Sequence, residues 1–147
     1  MAIVNNCNLP DDLYYIVDRH VWARRGDGGL VTVGMTDVAQ NLAKTIISVT
    51  PKAAGKTVAK GRSLATVESG KWVGPVPSPV SGEIVEVNDA VVASPATLND
   101  DPYGAGWIAR LRPDDWDADA GDLVTGPAGI EAYRRFLEAE GIECEAR

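Results

Sequence analysis

Few residues in this 147-residue chain are of a type and spacing that could do chemistry, and a single lysine stands out among them. His20 is the only histidine, so neither a metal cluster nor a Ser-His-Asp or Cys-His arrangement can be assembled from the sequence. The cysteines, Cys7 and Cys144, lie near opposite ends and form no CxxC motif. Their spacing gives no reason to pair them, and they read as two reduced thiols on the terminal segments. "AAGKT" (Ala53–Thr57) has the ending of a phosphate-binding loop. The full pattern requires glycine where Thr50 stands, so this stretch reads as a turn. The acids of "PDDWDADAGD" have no apolar surroundings to raise a pKa and read as a solvated loop. What remains is Lys71 in "VESGKWVGPVPSPVSG", between a glycine and a tryptophan and just ahead of three prolines.

An acyl-carrying lysine has to stand clear of the protein body so that a modifying enzyme can reach it. The flanking elements suit that need. "SLATVESGK" and "VPSPVSGEIVEVN" are two strand-like segments, and Gly70, Lys71 and Gly74 lie in the link between them. This predicts a hairpin with Lys71 near its tip, its return stiffened by Pro75, Pro77 and Pro79. Position alone leaves a second reading open, in which Lys71 is a solubilising surface charge.

The segments around the hairpin are short and β-rich. "LVTVGMT", "TIISVTP", "SLATVES", "GEIVEVND" and "GWIARLRP" read as strands within residues 30–112. Ahead of them, residues 1–29 form a lead-in with a short strand around "LYYIVDRHVWAR", closed by "GDGG". In "TDVAQNLAK", Thr36 or Asp37 can cap a short helix with Val38 and Leu42 on one face. After Pro113 comes the acidic loop, then a C-terminal helix in "GPAGIEAYRRFLEAEG". Its stripe is Ile130, Tyr133 and Phe136/Leu137, and it stops at Gly141. The expected fold is mainly β, a small barrel or sandwich with a helix at each side, in a single domain over 1–147. Its core covers about 13–112, and its C-terminal loop and helix about 113–141.

Charge and hydropathy exclude several classes. The net charge of −7 argues against a nucleic-acid surface and suits partners with basic patches. No apolar run approaches the roughly 20 residues of a membrane span. "MAIVNNCNLPDDLYY" lacks a basic start and turns acidic at Asp11 and Asp12, unlike a signal peptide. A cytoplasmic protein with no membrane partner is expected.

Separated motifs then converge. "HVW" (His20–Trp22), "VGMTDVAQ" (Val33–Gln40), "VESGK" (Val67–Lys71), "SPVSGEIVEVN" (Ser78–Asn88) and "NDDPYGAGWI" (Asn99–Ile108) occur in this order. Together they resemble the H protein of the glycine cleavage system, over roughly residues 13–135. The resemblance implies a flattened β-barrel of the lipoyl/biotinyl type (a hybrid barrel-sandwich). It also implies a non-catalytic carrier with lipoate in amide linkage on Lys71. Biotin is disfavoured, because a biotin carrier would show Met-Lys-Met where this chain has Gly70-Lys71-Trp72. Recognition around the arm falls to Glu68, Ser69, Gly70 and Trp72, with Gly70 expected in a backbone conformation that a side chain would strain. His20, Val21 and Leu42 are the expected arm-contacting residues. Expected partners are a lipoate-protein ligase or lipoyl transferase and dihydrolipoamide dehydrogenase.

Acylation would remove one positive charge, taking −7 to −8. The lysine stem plus acyl chain reaches on the order of 10 Å or more from its covalent bonds. Tethering raises the local concentration of the reactive sulfurs at a docked partner.

The chain departs from the glycine-cleavage pattern where an amine would be handled. That family reads His-Glu-Trp where His20-Val21-Trp22 stands, and Val21 cannot pair with a cation. A polar pair, often Asp-His, usually follows Ala-Gln, whereas Asn41 and Leu42 follow here. Glu-Ser-Val-Lys-Ala becomes Glu68-Ser69-Gly70-Lys71-Trp72. A second resemblance fits these changes. "CNLPDDLYY", "ESGKWVGPV" and "EAEGIEC" are similar to lipoate-binding proteins of the sulfur-oxidising heterodisulfide-reductase-like pathway. It implies an arm carrying sulfur and electrons to a heterodisulfide-reductase-like complex. Aminomethyl carriage is the alternative, and an unlipoylated interaction module the reading from another class.

Overall fold

In the computed structural model, residues 2–145 are described, and they form twelve short strands and five helices. In chain order these are β1 (Ala2–Val4), β2 (Cys7–Leu9), β3 (Tyr14–Ile16), β4 (Val21–Arg25), β5 (Val31–Met35) and α1 (Asp37–Ala43). They continue with β6 (Ile46–Pro51), β7 (Thr57–Val58), β8 (Ser63–Ser69), β9 (Val73–Pro77) and β10 (Gly82–Val87). The last are α2 (Asp89–Ala93), α3 (Ala96–Asp100), β11 (Ala109–Pro113), α4 (Trp116–Ala120), β12 (Val124–Thr125) and α5 (Gly126–Glu140). None of these helices is long and apolar enough to cross a membrane.

The large sheet runs β12-β3-β4-β5-β11-β10-β7, and a three-stranded sheet runs β6-β8-β9. Every pairing in both is antiparallel. Their facing sides share one core that includes Val33, Leu64, Val67, Val76, Ile84 and Leu111. Each such fully buried aliphatic contributes about 1.5–3 kcal/mol. Strand alternation splits β4 between two cores. Val21 and Ala23 face the one between the sheets, while Trp22 faces a second one under α5. In that second core Trp22 donates from Nε1 to the carbonyls of Met35 and Pro102, 3.0 Å each.

Several expectations are corrected. The lead-in is two paired strands, β3 and β4, joined by a 3-10 turn over Val17–Arg19. Before it lies a hairpin, β1–β2, whose turn residues Asn5 and Asn6 both have positive φ (50° and 65°). That is the geometry an Asn-Asn pair tolerates in a tight hairpin. "PDDWDADAGD" is not simply a solvated loop. Asp115 accepts from the Ala118 amide and caps α4, which buries Trp116 edge-on against Tyr14 at 4.9 Å.

The cysteines are also corrected. Cys7 and Cys144 form a disulfide, with Cα atoms 5.1 Å apart across 137 positions of sequence. The β1–β2 hairpin and α5 pack into the same second core and bring the two ends together. The α5 stripe holds as Ile130, Tyr133 and Leu137, with Phe136 only partly buried. Gly141 closes the helix at φ 65°, the left-handed cap that glycine adopts without strain.

Candidate functional site

β8 and β9 are paired with Glu68 opposite Val73, and the Ser69 amide donates to the Trp72 carbonyl at 2.7 Å. Gly70 and Lys71 are thus the two loop residues of a tight hairpin, and both are exposed. β9 is an edge strand, so Pro75 and Pro77 sit where a missing amide costs no ladder bond. The hairpin returns through Val73–Pro77 only. "GEIVEV" is a separate strand, β10, in the large sheet. Ser69 is buried at the base of the loop, and Glu68 points to solvent.

Gly70 does not have the conformation expected of it. Its φ lies outside the left-handed region, and a Cβ there would meet nothing within 4 Å. What glycine leaves beside the lysine is open space. Trp72 is 40% exposed and folds back along the strand over Gly74, where an added Cβ would lie 2.3 Å from its ring.

Behind the tip opens a cleft of about 570 Å³. Lys71, Trp72 and Val73 line one side, and Ala39, Leu42 and Ala43 of α1 the other. Thr36 caps α1 by accepting from the Ala39 amide at 3.3 Å. The helix separates the two residues expected on one face. Val38 is buried in the second core, whereas Leu42 is 41% exposed at the cleft.

Among the residues expected near the arm, His20 and Leu42 line this cleft and Val21 does not. Val21 is fully buried in the core between the sheets. The sequence reading missed Asp18 and Arg19, which line the cleft beside His20. Their adjacency in "DRHVW" was the available signal. Asp18 gives the cleft a carboxylate after all.

His20 sits in the left-handed region at φ 58° and is locked by a hydrogen-bond chain. Thr36 Oγ1, which accepts from the Ala39 amide, also lies 2.9 Å from Tyr133 Oη in a hydrogen bond that either hydroxyl can donate. Tyr133 Oη is also hydrogen-bonded to His20 Nδ1, at 2.5 Å. Burial pushes the His20 pKa down to about 4, against a smaller upward pull from Asp18. Among the described residues no group of three or more His, Cys, Asp or Glu side chains could hold a metal.

The family model of the glycine cleavage H-protein matches residues 13–139. The chain belongs to the glycine cleavage H-protein family. It is similar to "Glycine cleavage system H protein 5" of Aquifex aeolicus, 47% identical over 98% of this chain and 99% of that one. "Probable glycine cleavage system H protein 2" of Saccharolobus solfataricus is 40% identical, covering 99% of each chain. The crystal structure of a glycine cleavage system H protein from Mycobacterium marinum superposes with a TM-score of 0.76. It is 36% identical and covers 91% of this chain and 100% of that one. The paired sheets are therefore the lipoyl-type barrel-sandwich expected from the sequence motifs.

Glycine cleavage H proteins are non-catalytic carriers of covalently attached lipoate that serve other enzymes. The residues of this chain fit that group. An exposed lysine stands at the rim of a cleft whose walls are largely apolar, and its volume falls in the range of small-molecule sites.

Proposed function

We propose that this chain is a single-domain lipoyl carrier with lipoate in amide linkage on Lys71, working in the cytoplasm as a swinging arm for sulfur and electrons in sulfur oxidation. The observation that carries the attachment is the placement of Lys71. It is an exposed lysine at a two-residue hairpin tip, beside open space at Gly70 and on the rim of an apolar-walled cleft. When bound, the dithiolane supplies a disulfide/dithiol couple that can carry electrons or a covalently held group. The protein's own residues present the amine, wall the cleft and hold His20 neutral. Recognition of the hairpin by a lipoate-protein ligase or lipoyl transferase falls to Glu68, Ser69, Gly70 and Trp72.

The apolar wall of the cleft supports the sulfur cargo. Leu42 presents hydrocarbon at the cleft where the glycine-cleavage pattern usually has a polar side chain. An ammonium group against apolar surface loses hydration without gaining a partner. A neutral sulfur cargo suffers less. The relatives also include chains numbered 2, 3 and 5 from one organism, Aquifex aeolicus. Several H-protein-like chains side by side leave room for roles beyond a single glycine-cleavage system. Partners on this reading are a heterodisulfide-reductase-like complex and dihydrolipoamide dehydrogenase.

Asp18 favours the second reading, because its carboxylate at the cleft could pair with an aminomethyl cargo. Two assays on the lipoylated protein separate the readings. One follows carbon dioxide exchange with glycine-cleavage decarboxylase and glycine. The other follows electron output from a heterodisulfide-reductase-like complex given a sulfur donor. Output in the second with weak exchange in the first is expected. Efficient glycine exchange with silence in the sulfur assay overturns the cargo assignment. An intact mass without a lipoyl group after ligase treatment would favour an interaction module.

A further inference from the structure

Arg19 reaches the arm cleft from the 3-10 turn Val17–Arg19, which joins β3 to β4. α5 holds that turn in place. His20, which closes it, packs its ring against Tyr133 and Phe136 of α5, with ring centroids 5.7 and 5.6 Å away. Arg110, Arg112, Arg134 and Arg135 all pair with glutamates. Arg19, by contrast, makes no hydrogen bond or ion pair among the described residues.

The other charges near the cleft leave Arg19 as its cation. Lys71 becomes uncharged on acylation. His20 is neutral near pH 7, because burial pushes its pKa down to about 4. Asp18 precedes Arg19 in the turn, but it also lines a second groove, with Asp122, Arg135 and Phe136. Arg19 lines the arm cleft and not that groove. Lys44 and Glu145 pair with each other in a separate pocket beyond α1. Glu68, on the hairpin, points to solvent. Met35, Ala39, Leu42 and Val73 supply apolar wall. A charge beside such walls is screened less than in open water. A guanidinium stays charged throughout the physiological pH range and is weakly hydrated, so it suits a large, polarisable anion. It repels an ammonium group.

We propose that Arg19 is a specificity-determining residue of the arm cleft, whose guanidinium holds a negatively charged sulfur at the end of the lipoyl arm and disfavours a cationic cargo. Ionisation of an arm thiol gives its proton to water and leaves one negative charge on sulfur, which Arg19 stabilises. The inference rests on lipoate attachment to Lys71 and deepens the sulfur-cargo reading. It adds an attractive contact for sulfur, where the apolar wall only withholds a partner from an amine.

The test uses the full chain, lipoylated by a ligase, checked by intact mass, and reduced at the arm with a phosphine. Alkylation by iodoacetamide is followed against pH by the mass of the peptide containing Lys71, which keeps Cys7 and Cys144 out of the measurement. The profile gives the apparent pKa of the more acidic arm thiol. Arg19→Gln should raise that pKa by about half a pH unit and slow alkylation at neutral pH roughly threefold, the effect of one charge a few ångström away near water. Arg19→Lys should stay near wild type, because the charge is kept. Asp18→Asn should shift the pKa less, and downward. An unmoved pKa in Arg19→Gln, or a larger shift from Asp18→Asn, overturns the proposal. Arg19→Lys matching Arg19→Gln also overturns it, because charge would then not be the cause. A chain that accepts no lipoyl group overturns the attachment reading and this proposal with it, and the intact mass tells that failure from the others.

Discussion

The Trp72 indole lies over the backbone of Gly74, so closely that a methyl group added to that glycine would sit 2.3 Å from the ring. The two residues fix how the hairpin presents Lys71: the ring lies along β9 on the cleft side and leaves the lysine free. Gly74→Ala should drive the indole off the strand, since the ring and not the backbone is the part able to move. Acrylamide quenching of tryptophan fluorescence should rise, and lipoylation should slow. Because the ring is already 40% exposed, the midpoint of thermal unfolding should fall by only a few degrees, equivalent to about 1 kcal/mol. Trp72→Ala should likewise slow lipoylation with little loss of stability. A large stability loss with normal lipoylation would make Trp72 a packing residue only.

Gly70→Ala separates strain from recognition. Nothing lies within 4 Å of the added methyl, and the backbone is not left-handed. Stability should change by no more than about 0.5 kcal/mol, as for other surface substitutions. Any slowing of lipoylation then arises at the ligase surface. A marked drop in the unfolding midpoint would contradict this geometry.

Val21 and Leu42 should respond in opposite ways to polar substitution. Val21→Glu places a carboxylate in the core between the sheets with no cation opposite it, which costs about 3–5 kcal/mol. Leu42→His lies at the half-exposed cleft wall and should cost less than about 1 kcal/mol. On the sulfur-cargo reading, Leu42→His should raise glycine-exchange activity of the lipoylated protein. Denaturant unfolding and the exchange assay measure the two effects. Equal stability of the two variants would show that Val21 is not held in the core.

The strand pattern, the hairpin around Lys71, the Thr36 cap and the α5 stripe were legible because each is a local signal of alternation, turn chemistry or helical spacing. The disulfide was not, since 137 residues separate Cys7 from Cys144 and only the packing of β1–β2 with α5 unites them. Asn5-Asn6 between "AIV" and "CNL" was a local hairpin signal of the same kind. Trp116 was another local signal, an aromatic residue among acids that a capping aspartate folds inward. Val21 illustrates a different limit. Its neighbours His20 and Trp22 face the cleft and the second core, but strand alternation and the left-handed turn at His20 send Val21 between the sheets.

His20 makes stability depend on pH. Its folded pKa of about 4 lies below the unfolded value near 6.5, so the unfolded chain binds more protons between those values. The contribution is full above about pH 6.5 and is lost as pH falls through the window toward 4, by up to about 3 kcal/mol. Unfolding free energies of wild type and His20→Gln, compared across this range, should differ in slope by up to one proton, with wild type the steeper. Parallel curves would show that His20 is not held neutral by its burial.

The attachment of lipoate to Lys71 is tested most directly by one peptide map. The protein is incubated with lipoate, ATP and a lipoate-protein ligase, digested, and each lysine-containing peptide is weighed, alongside Lys71→Arg. A single lipoyl group on the peptide containing Lys71, and none anywhere on Lys71→Arg, is the predicted result. Undiminished lipoylation of Lys71→Arg, or a lipoyl group on another lysine of the wild type, would contradict it.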